Sequence, residues 1–101
     1  MKSYTDIEQS RKLAEILPLE SADMFYTLID QGLYLEVKQG IEPSKDDIPC
    51  WSLAALLGVL PNSTDICKNI EGRYYVHGFF SDNPVDACVD AIKALHELKL
   101  L

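Results

Sequence analysis

Residues 22–39 read ADMFYTLIDQGLYLEVKQ. Aromatic and branched residues crowd both halves, and Asp30, Gln31 and Gly32 lie between them, which is the composition of two strands joined by a tight turn. The second half alternates cleanly: Leu33, Leu35 and Val37 point one way, and Tyr34, Glu36 and Lys38 the other. A helix is the rival reading. Gly32 counts against it and suits a turn residue at positive φ. The stretch is therefore read as a β-hairpin, and the rest of the chain is built around it.

Upstream, Thr5 with Glu8 three residues later makes a capping box. Ile7, Leu13, Ala14 and Leu17 then recur at helical spacing until Pro18, which predicts a helix over residues 5–17. Downstream, QGIEPSKDD at 39–47 is a polar connection. It leads into DIPCWSLAALLGVLP at 47–61, which holds the only tryptophan. Asp46 or Asp47 as cap, Pro49 in the first turn, and Trp51, Leu53, Ala54, Leu56, Leu57 and Leu60 predict a helix buried on most sides, ended by Gly58 and Pro61. RYYVHGFF at 73–80 reads as a third strand. Asn83 as N-cap, Pro84 as the first helical residue and Asp86 behind it open a last helix. Its apolar stripe is Val85, Cys88, Val89, Ile92, Leu95 and either His96 or Leu98.

The order is α-β-β-α-β-α. It predicts an α+β fold in which a small, three-stranded, mainly antiparallel sheet packs against helices. With 101 residues, 48% of them hydrophobic and 25% charged, the chain suits a single globular domain over residues 1–101. Such a domain buries roughly 60–70% of its unfolded surface, so neither metal nor disulfides are needed for stability. LAEILP at 13–18 and LAALLGVLP at 53–61 look alike, but two proline-stopped helix ends account for that without a repeat.

Sixteen acids against nine bases give a net charge of −7, spread along the chain without an acidic tail or basic arm. Nucleic-acid binding relies on clustered Lys and Arg against phosphates, so this field argues against it. The longest uncharged apolar stretch is about half of what a bilayer span needs, so no membrane association is expected. Cys50, Cys67 and Cys88 are an odd, widely spaced set, and Lys2 leads into a polar helix rather than a secretory apolar segment, which points to a reducing, cytoplasmic setting.

Several chemistries are weighed against plainer readings. Cys50 near a helix start, with His77 or His96 as base, is the arrangement of a small thiol-dependent enzyme. Asp46 and Asp47 upstream favour the neutral thiol, however, and a cysteine beside Trp51 is usually a small buried hydrophobe. A zinc site from Cys50, Cys67, Cys88, His77 and His96 would need ligands from four elements without one close pair, so no metal is expected. The five glycines are scattered, and each predicted helix N-terminus carries carboxylates, which leaves no phosphate cradle and no implied cofactor.

Strand 73–80 is apolar on both faces. Tyr74, Val76, Gly78 and Phe80 alternate with Tyr75, His77 and Phe79. If one face packs on helices, the other presents Tyr75, His77 and Phe79, beside Tyr34 and either Phe25 or Tyr26 from the hairpin. A patch of that kind marks an interface, unless helix one covers it. The expected function is a protein–protein interaction module, bound through an open sheet face or sheet edge to a partner or to a second copy. Its candidate residues are Phe25, Tyr34, Tyr75, His77 and Phe79. The alternative is the thiol enzyme centred on Cys50 and His77. A third reading is a subunit that folds stably only with its partner.

IPCWSLAALLGVLP, SDNPVDAC, LHELKLL and EILPLESADM together resemble a set of short, uncharacterised proteins of gut anaerobes and their phages. The resemblance spans nearly the whole chain. It implies a standalone small domain carried on mobile elements, and it assigns no activity to any residue.

Overall fold

Asp6, one position after the residue expected to cap, begins the first helix. Its carboxylate accepts from the Gln9 N–H at 2.7 Å, and Gln9 Oε1 accepts from the Asp6 N–H at 3.2 Å, a reciprocal capping box. Thr5 and Glu8 match the same pattern in sequence. Thr5 is instead buried and bonded elsewhere, which shifts the cap by one. The computed structural model describes residues 3–29, 32–37, 46–61, 67–68, 73–76 and 79–99. Helix α1 spans Ile7–Ala14, and a further helical bond from Leu17 N–H to the Leu13 carbonyl, 2.8 Å, carries its last turn to Pro18.

After a single turn of 3-10 helix at Leu19–Ser21 come β1, Met24–Ile29, and β2, Gly32–Val37, paired antiparallel as the sequence predicts. The strand on the other side of β1 is β3, Ile48–Cys50, in the order β2-β1-β3. The sequence pattern predicts a helix over these three residues. They extend because Ser52, not Asp46 or Asp47, is the true N-cap: its hydroxyl accepts from the Ala55 N–H and donates to the Asp23 carboxylate, which also accepts the Ser52 N–H at 2.9 Å. Pro49 does no harm in β3. It faces Phe25, whose own backbone groups are directed to Glu36, so the missing proline N–H points away from β1.

Helix α2, Leu53–Val59, is shorter and less buried than expected. Only Leu56 within it is fully enclosed, Ala54 and Gly58 face solvent, and Trp51 is buried just ahead of it. A second antiparallel sheet follows: β4, Cys67–Lys68, β5, Tyr74–Val76, and β6, Phe79–Ser81, in that order. The expected single strand over 73–80 is thus two strands, folded back with Val76 opposite Phe79. The signal for it was Gly78 inside the run.

Helix α3, Pro84–Glu97, begins as predicted. Asn83 Oδ1 accepts the Asp86 N–H at 2.9 Å, and Pro84 takes the first turn. Val85, Ala87, Cys88, Val89, Ala91 and Ile92 are all buried, so α3 rather than α2 is the helix enclosed on most sides. It packs on β5 and β6 and also touches α2 and α1, whereas α1 packs on β3. The architecture is α+β, three helices with antiparallel sheet, and its core gathers Leu13, Leu17, Trp51, Leu56, Leu60 and Val76 around α3. Among the described residues no helix is long and apolar enough to cross a membrane.

Candidate functional site

Cys50 ends β3, and its surroundings decide the thiol reading. It is wholly buried, and its sulfur lies 3.5 Å from Thr5 Oγ1 and 3.4 Å from the Thr5 carbonyl. The protons around Thr5 can be placed without conflict. Ser10 Oγ, 2.7 Å away, and the Trp51 N–H, 3.1 Å away, donate to the Thr5 hydroxyl, which donates to Cys50 Sγ. The Cys50 thiol and the Tyr26 hydroxyl, at 2.7 Å, both donate to the Thr5 carbonyl. Burial pushes the Cys50 thiol up, only partly offset by the Thr5 and Tyr26 hydroxyls, and burial also pushes the Tyr26 phenol up. A protonated, enclosed thiol in a satisfied polar cluster is a core group, not an accessible nucleophile. His77, its supposed base, lies outside the described residues.

Cys88 on α3 is likewise buried, with burial pushing its thiol to about 11. Both cysteines are free. Among the described residues, no three His, Cys, Asp or Glu side chains come together as a metal would require.

The residues proposed as a binding face come from two sheets, and His77 among them lies outside the described residues. Tyr34 lies on β2 of the first sheet and Phe79 on β6 of the second. Phe25 is 4% exposed and so is not available to a partner. In the β5–β6 ladder Tyr75 faces Phe80 and Val76 faces Phe79, so the Tyr75 and Phe79 positions fall on opposite faces. Alternation along one unbroken strand would keep the two positions on one face, and the antiparallel pairing of β5 with β6 does not. Tyr34 and Phe79 remain exposed, each on an outer strand.

What the structure brings forward is β2 itself. Opposite residues of an antiparallel pair share a face, so Leu33, Leu35 and Val37 lie on the same face as Met24, Tyr26, Ile48 and Cys50. Helix α1 packs over the β3 side of that face, and the bond from Tyr26 to Thr5 marks its reach. The outer strand lies beyond it. Leu33 is 41% exposed and Val37 49%, and Tyr34 on the reverse face is 53% exposed. The regular alternation of β2 was a sound signal for a strand with one apolar face. It could not say that the helix stops short of covering that face.

A second feature is a groove of about 510 Å³ where the two proline-stopped helix ends meet. Ile16, Leu17 and Pro18 come from one, Gly58 and Val59 from the other, and Ser21 and His96 complete the lining. Beyond His96 a smaller recess is lined by Lys12, Glu15, Lys93 and Glu97. The charges of the recess are mixed in sign, whereas the groove itself is lined largely by apolar residues, with Ser21 and His96 as its polar side chains. Comparison with protein-family models, with curated proteins and with solved structures finds no match to this chain.

Proposed function

We propose that the chain is a protein–protein interaction module that docks a partner along the outer edge and apolar face of β2. The observation that carries this reading is the exposure of Leu33 and Val37 on a strand that, among the described residues, pairs only through its inner edge to β1. An open edge offers unpaired backbone groups, and an adjacent apolar stripe supplies burial. Together they are the means by which a sheet accepts an added strand. Tyr34 is the member of the candidate set best placed to take part, and Phe79 on the outer strand of the second sheet is a secondary one. The thiol alternative loses its support with the burial of Cys50. Free, buried Cys50 and Cys88 suit a reducing compartment, and a cytoplasmic location is part of the proposal.

The test is affinity capture from cell lysate, with the Leu33→Lys, Val37→Lys variant as comparison. A protein retained by the natural chain and lost by the folded variant supports the reading. Identical retained sets from both, with no self-association of the natural chain, remove it.

A further inference from the structure

The direction of the β2 backbone groups follows from the hairpin register. The closing pair Ile29↔Gly32 is separated by only two residues, and such a pair is the hydrogen-bonded kind. Bonded and non-bonded pairs alternate from there. Gly32, Tyr34 and Glu36 therefore direct their N–H and C=O groups to β1, while those of Leu33, Leu35 and Val37 point outward.

We propose that this edge is occupied by the same edge of a second copy, antiparallel, about a two-fold axis perpendicular to the sheet at Leu35. The inference rests on reading β2 as a docking edge and goes further by naming the occupant and the register. Leu35 then faces Leu35 of the second copy, Leu33 faces Val37, and Tyr34 faces Glu36. Every outward N–H and C=O of Leu33, Leu35 and Val37 finds a partner in this arrangement. A register centred one residue to either side leaves one of the three without a partner within Gly32–Val37.

Side chains and charge select the same register. Paired residues share a face, so the two Leu33-Leu35-Val37 stripes run side by side, and the exposed flank of each abuts the other. Glu36 is the one carboxylate within Gly32–Val37. Centred on Leu35, it meets a tyrosine whose hydroxyl can donate to it. Centred on Glu36, two carboxylates would oppose each other, which is destabilising. The result is a continuous sheet in the order β3-β1-β2-β2-β1-β3, an isologous contact that closes on itself and leaves neither copy of β2 open.

Sedimentation velocity over a wide dilution series tests this on the whole chain. The natural protein is expected to pass from monomer to dimer as concentration rises. Because each copy carries a net charge of −7, added salt is expected to tighten the dimer, whereas a basic foreign partner would bind more weakly in salt. Tyr34→Lys sets a cation opposite Glu36 twice per dimer and should tighten association about 2- to 30-fold, and Tyr34→Glu should loosen it by a similar factor. Val37→Pro removes an outward N–H without touching the β1 ladder and should leave a monomer with unchanged circular dichroism. A monomer at every concentration overturns the inference, as does a dimer indifferent to Tyr34 charge and to Val37→Pro. If the chain is monomeric yet Val37→Pro loses a captured protein, self-pairing fails and the docking edge stands. If neither is seen, both fail.

Discussion

Thr5 and Trp51 hold each other twice: the Thr5 N–H donates to the Trp51 carbonyl at 2.9 Å, and the Trp51 N–H donates to the Thr5 hydroxyl at 3.1 Å. With Tyr4 bridged to Ser52 and the Leu53 N–H bonded to the Ser3 carbonyl, the segment ahead of α1 runs antiparallel to residues 51–53. It sets α1 over the β3 side of the sheet, and among the described residues the β2 side stays open. Thr5→Val keeps the shape and deletes the hydroxyl, stranding the buried Trp51 N–H and the Ser10 hydroxyl. The expected cost is about 1–3 kcal/mol, read as a lower urea midpoint at unchanged slope. Thr5→Ser should lose less, since it keeps the hydroxyl.

Trp51 is fully buried, and its Nε1 donates to Ser21 Oγ at 2.9 Å, which in turn donates to the Pro18 carbonyl at 2.6 Å. The indole thus joins the end of β3 to the turn between α1 and β1. Trp51→Ala should destabilise by about 3–5 kcal/mol in urea unfolding, as a large-to-small core change does. Trp51→Phe should cost less, since it keeps most of the volume and loses the one bond.

The buried thiols predict an alkaline limit. Burial raises the Cys88 thiol to about 11 and raises that of Cys50 as well, while an unfolded cysteine titrates near ~8.5. Above that unfolded value the unfolded chain releases protons that the folded chain keeps, so stability falls as pH rises from there toward the folded values. Below it the two thiols make no difference. Unfolding free energy measured against pH should decline by up to about 1.4 kcal/mol per pH unit for each such thiol, and the Cys50→Ala, Cys88→Ala variant should decline less steeply. Alkylation of both thiols in the folded chain should be slow and should accelerate on adding denaturant.

Gly58 lies in the last turn of α2, and a methyl group added there would meet nothing within 4 Å. Gly58→Ala should therefore stabilise the chain by about 0.5–1 kcal/mol, through helix propensity and a less free unfolded state, seen as a higher thermal midpoint. A loss of stability would mean that something occupies the groove beside it.

Much of the fold is legible where a local signal has no competitor. Asn83, Pro84 and Asp86 mark the start of α3, and the alternation of residues 33–37 marks β2. Legibility fails where two readings fit the same letters. Thr5 with Glu8 and Asp6 with Gln9 both spell a capping box, and only the tertiary bonds of Thr5 choose between them. Ile48-Pro49-Cys50 reads as a helix start until Asp23 is seen holding Ser52 as the cap. The candidate site fared in the same way. The exposure of Tyr34 is legible because an aromatic on the polar face of an alternating strand needs only the strand pattern. Phe25 and the pairing of Tyr75 with Phe79 depended on which sheet each strand joins, and that is set by contacts distant in sequence.

The most direct measurement is residue-resolved amide hydrogen exchange across β2, in dilute and in concentrated solution. The account predicts alternation at dilution: Tyr34 and Glu36 protected by β1, and Leu33, Leu35 and Val37 exchanging freely. On concentration the three outward amides should gain protection together. Outward amides already protected at dilution would mean that the chain covers its own edge. Outward amides still unprotected at high concentration would mean that no second copy docks there. Either result contradicts the account.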